Sequence, residues 1–444
     1  MKRALVLAGG GSKGAYEVGF VTALKELGID YQIVTGTSIG ALNGCLLAQG
    51  DFDALVKLWE EMDITHIFAG DFDNSFAFDI DTMLNQSNLV VSFFKKYLKE
   101  KGANITPLIN ILNKLLDKDK LLSSPIDYGL CTVYYPSLKP LFITKLEMEP
   151  EYILDYLISS ASCFPVFPIH SFKNSSFIDG GYYDNLPIDL AFDMGADEVI
   201  VVDMNQEGTH KHYIDRPHIT YTRPYLDLGG FLDFSKDALE RNKRIGYQTA
   251  MKTYGKLAGV KYTFEMFDTP LYSDFYKEVL YIERNMRSIF KSDSSGNIVN
   301  KFMESHKGRP LLENEYLYVG LDWLAELVDR DASYIYNFDL FCKDLMIDFS
   351  KYIDPQYQMI SLKSSEDLTQ SLKQMNKRGI VGRLLHEMIY PKEEKHEVDK
   401  FLSKFTKEVV MARLLYMIYK EIKTVKEQKH ELQGYHQKHE QQRI

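Results

Sequence analysis

Ser38 lies in Thr35-Gly36-Thr37-Ser38-Ile39-Gly40, where an apolar run gives way to a helical pattern. A Gly-x-Ser-x-Gly turn between strand and helix lifts the hydroxyl clear of the backbone and aims a helix N-terminus at it. Gly36 and Gly40 suit such a turn because it is strained and a Cβ there would crowd an incoming acyl group. The chemistry this arrangement could do is nucleophilic attack on an acyl carbonyl. A second stretch, Gly9-Gly10-Gly11-Ser12-Lys13-Gly14, follows the first apolar run. Through Gly9, Gly11 and Gly14 it matches GxGxxG, a weak dinucleotide signal when alone. That fingerprint needs an acidic residue ~20 positions on, at the end of the second strand. Ser38 occupies that place, and Asp30 stands at the strand's start. A GxxxxGK[ST] phosphate loop is excluded, since Ala15 and Tyr16 follow Gly14. The other use of Gly9, Gly10 and Gly11 is an oxyanion hole, in which each preorganised N–H is worth about 3 kcal/mol.

A serine nucleophile needs a base, usually histidine. Ten of the eleven histidines lie in polar or helical surroundings with no flanking turn motif. His170, in Phe167-Pro168-Ile169-His170-Ser171, is nearest the informative region and is expected in a loop. In Phe177-Ile178-Asp179-Gly180-Gly181 an apolar strand end delivers a carboxylate, and two glycines turn the chain. Taken alone, that tripeptide reads first as a plain turn with a solvated Asp179.

These residues need elements to hold them. Ala4 to Ala8 reads as a buried first strand, Ala15 to Leu27 as a helix stopped by Gly28, and Tyr31 to Val34 as the next strand, with a helix from Ser38 onward. This order predicts an α/β fold: a central, mostly parallel sheet flanked by helices in three layers, with the chemistry on loops at the strands' C-terminal ends. Asp51 to Ser124 is expected to be mainly helical. Further strands are expected at Ile126 to Tyr134, Lys139 to Lys145, Ser175 to Ile178 and Glu198 to Asp203. Past about Val260 the chain turns rich in Tyr, Phe, Lys and Glu with helical periodicity, as in Tyr316 to Val328 and Phe401 to Ile422. Loops are expected at Asp293 to Asn297 and Ser364 to Asp367. The divisions expected are residues 1–260, a mainly helical region 261–425, and a polar tail 426–444 that is a frayed helix or disordered.

The 444 residues carry a net charge of −10, which argues against nucleic acid as the main partner. The four cysteines form neither a CxxC pair nor a disulfide-like framework, so a reducing, cytoplasmic home is expected. The N-terminus lacks a full signal sequence, and no stretch reaches the ~18 apolar residues of a membrane span. Any membrane contact is therefore expected to be peripheral. Leu89 to Leu98, with lysines beside paired phenylalanines, could lie on a membrane surface, although core packing is the commoner fate of such a stripe. Tyr225 to Leu232 reads as a mobile lip or a plain linker. No calcium-loop or zinc-ligand spacing occurs, so neither metal nor cofactor is expected.

Gly9 to Gly14, Gly36 to Gly40 and Asp179-Gly180-Gly181 together resemble the patatin-like phospholipase family. Ser159 to Pro168, Asn185-Leu186-Pro187, Met194 to Ile200, Thr106-Pro107-Leu108 and Leu232 to Ser235 are similar to further segments of that family. The resemblance covers roughly Lys2 to Lys256. It implies Ser38 as nucleophile, Asp179 as its base, and Gly10, Gly11 and Ile39 as oxyanion donors. Lys13 occupies the family's basic loop position. The implied activity is hydrolysis of fatty-acyl esters of phospholipids or lysophospholipids. The alternatives are a soluble carboxylesterase or thioesterase, and a non-catalytic lipid-binding regulatory protein. Oligomeric state and protein partners are open.

Overall fold

A computed structural model describes residues 1–70, 102–290, 298–355, 376–391 and 405–441. The chain divides into two compact units, Met1–Gly255 and Lys256–Ile444. The expected loops at 293–297 and 364–367 and the amphipathic stretch 89–98 lie outside the described residues.

The first unit is built on an eight-stranded sheet: β1 (Arg3–Leu7), β2 (Ile33–Thr37), β3 (Asp127–Tyr135), β4 (Pro140–Thr144), β5 (His170–Phe172), β6 (Ser175–Asp179), β7 (Glu198–Val202) and β8 (Ile219–Thr222). The order is β5-β6-β3-β2-β1-β7-β8, with β4 also on β3. Strands β1, β2, β3, β7 and β8 run parallel, whereas β4, β5 and β6 pair antiparallel to their neighbours. Ala4-Leu5-Val6-Leu7 and Val199-Ile200-Val201-Val202 are continuous apolar runs because these central strands are buried on both faces.

Helix α1 (Gly14–Glu26) follows β1, and α2 (Ile39–Ala48) follows β2. Neighbouring residues of β3 locate the layers. Tyr128 donates its hydroxyl to Ala41 O in α2 at 2.8 Å. At Gly129 an added Cβ would instead lie 2.9 Å from Met194 Sδ and 3.0 Å from Leu190 Cδ2, just past and within the helix Ile188–Asp193. Successive strand residues point to opposite faces, so α2 and that helix flank the sheet on its two sides.

Pairing along β3 brings the site together. β2 pairs with residues 127–131 of β3 and β6 with residues 132–135, whereas β4 spans 129–133. Since β4 overlaps both, it must hold one edge of β3 while β2 and β6 share the other. They run toward each other: β2 ends at Thr37 opposite Cys131, and β6 ends at Asp179 opposite Thr132. Their C-terminal ends therefore abut head to head.

Several expectations shift in detail. His170 begins β5 rather than sitting in a loop. The hairpin to β6 turns at Lys173-Asn174, both with positive φ (48° and 56°), the conformation that two-residue hairpin turns demand. β4 stops before Lys145, whose buried ammonium donates to Ser124 O (2.7 Å) and Ile126 O (2.6 Å). The edge strand β8 was not foreseen; Ile219-Thr220-Tyr221-Thr222 is short and only half apolar.

The second unit is mainly helical. Its helices are Leu271–Phe290, Ile298–Ser305, Glu313–Leu327, Phe338–Asp348, Ser350–Ile353, Lys377–Ile389 and Thr406–Gln441. Phe275, Phe302, Phe341 and Phe349 are fully buried among them. Thr263–Phe264 and Ile335–Tyr336 form a two-strand parallel pair. The last helix runs on through 426–441, where the polar composition pointed to fraying or disorder. Among the described residues, no helix is long and apolar enough to cross a membrane.

Candidate active site

Ser38 stands between β2 and α2 with φ 55° and ψ −124°, a conformation costing a non-glycine residue about 1–3 kcal/mol. Its surroundings hold it there. Ser38 N donates to Ser160 Oγ at 3.0 Å, and that hydroxyl donates to Cys131 O at 2.7 Å. Ser38 O accepts from Ala41 N (2.9 Å) and Leu42 N (3.1 Å), the first turn of α2.

Asp179 meets it from the facing strand end. The carboxylate is 5% exposed and accepts a hydrogen bond from the Ser38 side chain and one from Gly181 N at 2.7 Å. Burial raises its pKa from 3.8 to about 6, and those two hydrogen bonds pull the other way. Gly180 packs where a Cβ would lie 2.2 Å from Cys131 O, so the chain can turn directly after the carboxylate only with glycine there.

Gly10, Gly11 and Ile39 are half-exposed, as is Ser38. Among the described residues, the N–H groups of Gly10, Gly11 and Ile39 donate to no protein acceptor. They are three unoccupied donors near the half-exposed Ser38, the kind of group a developing oxyanion needs. Gly9 does not join them, contrary to the sequence reading: its N–H donates to Asn185 O at 3.0 Å. Lys13 closes the short helix Gly11–Lys13 ahead of α1. At Gly14 a Cβ would press on Ile39 and Trp59, which brings the starts of α1 and α2 together. Residues 225–232 turn out to be a strap on this loop: Ser12 N donates to Phe231 O and Ser12 Oγ to Gly230 O, both at 2.9 Å.

Some site residues carried no chemical signal in the sequence. Asn185 clamps Gly9 from both sides, because its Nδ2 also donates to Gly9 O at 3.0 Å. Thr37 Oγ1 donates to Asp184 O at 2.8 Å. Behind the glycine loop, Asn43 donates to the carboxyl of Glu17 at 2.8 Å and accepts Trp59 Nε1 at 2.9 Å. Burial holds the Glu17 carboxyl well above the usual carboxylate range. His170 is spoken for elsewhere: its Nε2 pairs with Asp155 Oδ1 at 2.8 Å.

The sheet, flanked by helices on both sides, thus presents a serine on a strand-to-helix elbow with a buried carboxylate beside it. Residues 5–192, about two fifths of the chain, match the family model of patatin-like phospholipase. Lysophospholipase nte1 of Aspergillus terreus is 28% identical over 213 residues, which is 48% of this chain and 12% of that protein. Patatin-like phospholipase domain-containing protein 7 of Rattus norvegicus is 30% identical over 208 residues, 45% of this chain and 13% of that one. The match thus spans about an eighth of these curated relatives. VipD from Legionella pneumophila aligns over 94% of this chain and 90% of its own, at 14% identity and a TM-score of 0.37.

Proposed function

We propose that this protein is a serine acyl hydrolase that cleaves fatty-acyl esters of phospholipids or lysophospholipids, with Ser38 as nucleophile and Asp179 as its base. The observation that carries the reading is the hydrogen bond between the two side chains where β2 and β6 abut. As Ser38 Oγ attacks the acyl carbonyl, Asp179 takes its proton. The carbonyl oxygen, now negative, is received by the N–H groups of Gly10, Gly11 and Ile39, with the N-terminus of α2 behind them. Asp179 returns the proton to the leaving alcohol as the ester C–O bond breaks. Water, deprotonated by the same carboxylate, then releases the fatty acid from Ser38.

A carboxylate at its ordinary pKa is a feeble base for a hydroxyl. Raising Asp179 to about 6 adds about 3 kcal/mol of proton affinity. The expected signature is an acidic limb in kcat/KM near pH 6, with activity rising as Asp179 loses its proton. A limb near pH 4 would mean that Asp179 is not the titrating base.

The lipid part of the reading draws support from the lysophospholipase and patatin-like phospholipase relatives and from the rim of the site. Tyr182 and Tyr183, directly after Asp179-Gly180-Gly181, are 52% and 60% exposed. Tyr183 meets Phe142 of β4 with ring centroids 6.2 Å apart, and Tyr135 and Leu138 are exposed on the β3–β4 hairpin. Apart from Lys139, residues 135–139 and 181–183 carry no charge, so the rim offers tyrosines and a lysine suited to a lipid headgroup region. The test compares a monomeric ester with the same acyl chain on micellar phospholipid. Replacing Leu138 and Tyr183 together by serine is expected to lower the micellar rate about tenfold or more and leave the monomeric rate unchanged. Equal losses on both substrates would remove this face from lipid contact, and a wild type with no preference for aggregated lipid would favour a soluble esterase.

A further inference from the structure

Asp184 lies five residues beyond Asp179, with its carboxylate turned inward. Asp184 Oδ1 accepts Leu186 N at 3.0 Å and faces His210 Nε2 at 2.8 Å. Its backbone N donates to Gly180 O at 2.9 Å, and its carbonyl receives Thr37 Oγ1 at 2.8 Å. The next residue, Asn185, is the one locked to Gly9. One dipeptide thus touches the residue before the nucleophile, the residue before the oxyanion donors and the residue after the base. His210 takes no part in the chemistry proposed above, yet it holds that dipeptide's carboxylate.

We propose that His210 is a positioning residue that makes the site pH-sensitive: as an imidazolium it clamps Asp184, and on losing its proton it releases the segment that registers Ser38, Asp179 and the glycine loop. The inference rests on the catalytic reading and adds its regulation. The groups facing His210 come from every neighbouring element. Asp184 touches it, while Asp203 at the end of β7 and Asp189 on the helix Ile188–Asp193 add negative charge. Asp203 is saturated by Thr209 N (2.6 Å), Thr209 Oγ1 (2.9 Å) and Tyr221 Oη (2.6 Å), and Asp189 receives the Tyr213 hydroxyl. The rings of His212 and Tyr213 lie 5.8 and 6.5 Å away, and Tyr221 Oη accepts His210 N at 3.1 Å. The hydrogen bond to Asp184, opposed by partial burial, places the imidazole pKa above the ordinary 6.5. A histidine raised in this way keeps its charge to higher pH than a free imidazole, and its clamp is lost as pH rises through the raised pKa. Asp179 must be ionised, so the competent form exists between the two titrations.

The test follows fluorophosphonate labelling and monomeric-ester kcat/KM from pH 5 to 9 on the full chain, with thermal melts to show that each variant is folded. Wild type should give a bell. His210→Ala should lose about tenfold at pH 7, since small misplacements of reacting groups are costly, and should lose its alkaline limb. His210→Gln keeps a donor but not the charge, so it should show the lowered rate of deprotonated wild type at every pH, with a flat alkaline side. The acidic limb should be common to all three. An alkaline limb that persists in His210→Gln, or a His210→Ala profile identical to wild type, overturns the proposal. A folded wild type that never labels overturns the catalytic reading, and this inference with it.

Discussion

Ser38→Ala is expected to abolish fluorophosphonate labelling and to lower acyl-ester hydrolysis by at least about a thousandfold, the scale on which nucleophile removal acts in serine hydrolases. Asp179→Asn should cost a similar factor for a different reason. The amide fills the same buried space and can still accept Gly181 N, but it has no proton affinity to offer the Ser38 hydroxyl. Full activity in either variant would sink the dyad. The same substitution carries a stability signature that separates inactivity from misfolding. A carboxylate whose pKa is raised by folding penalises the folded state above that pKa, because the buried charge is worse off than in water. With Asp179 at about 6 against 3.8, the penalty at pH 7 and above reaches about 3 kcal/mol and vanishes below pH 4. Asp179→Asn should therefore melt no lower than wild type at pH 8, and the gap should close as pH falls. A variant clearly less stable than wild type at pH 8 would mean that the carboxylate is held for structure.

The second large effect is on the elbow itself. A Cβ at Gly36 would lie 2.3 Å from Gly40 O, and one at Gly40 would lie 2.5 Å from Ala8 O and 2.6 Å from Leu7 O. All of these are backbone atoms, in the first turn of α2 or at the end of β1, so relief requires moving the elements that carry the site. Gly36→Ala and Gly40→Ala should each cost at least about 3 kcal/mol, the upper end of overpacking in cores. In a unit of this size that lowers Tm by about 6–12 °C. Gly28→Ala is the control. Gly28 has φ 66° with nothing within 4 Å of its would-be Cβ, so only left-handed strain of about 1–2 kcal/mol applies. Equal melting of Gly40→Ala and Gly28→Ala would show that the turn tolerates a side chain.

Local patterns carried much of this site. Strand–glycine loop–helix and strand–elbow–helix are short-range statements, and β1, α1, β2 and α2 follow them to within a few residues. The proposed base is less legible. Asp179-Gly180-Gly181 acquired meaning only beside the other two motifs, because an Asp-Gly turn by itself is ordinary. The donor set needed the fold as well: Gly9, Gly10 and Gly11 are alike in sequence, and only Asn185 tells them apart by occupying the N–H of Gly9. Residues 225–232 read equally as lip or linker in sequence, and only the bonds from Ser12 to Gly230 and Phe231 make them a strap.

By itself, then, the sequence determined an α/β chain with a serine elbow, a glycine loop and a carboxylate at a strand end, since each is written in contiguous residues whose backbone demands are local. Tertiary structure decided that the serine and the carboxylate meet. Nothing within either motif says that β2 and β6 share one edge of β3 and run toward each other; that follows from long-range pairing through a third strand. Burial of Asp179, its raised pKa and the Asp184–His210 brace are consequences of that meeting. They depend on which surfaces close over a group, a property of the packed chain that no single segment contains.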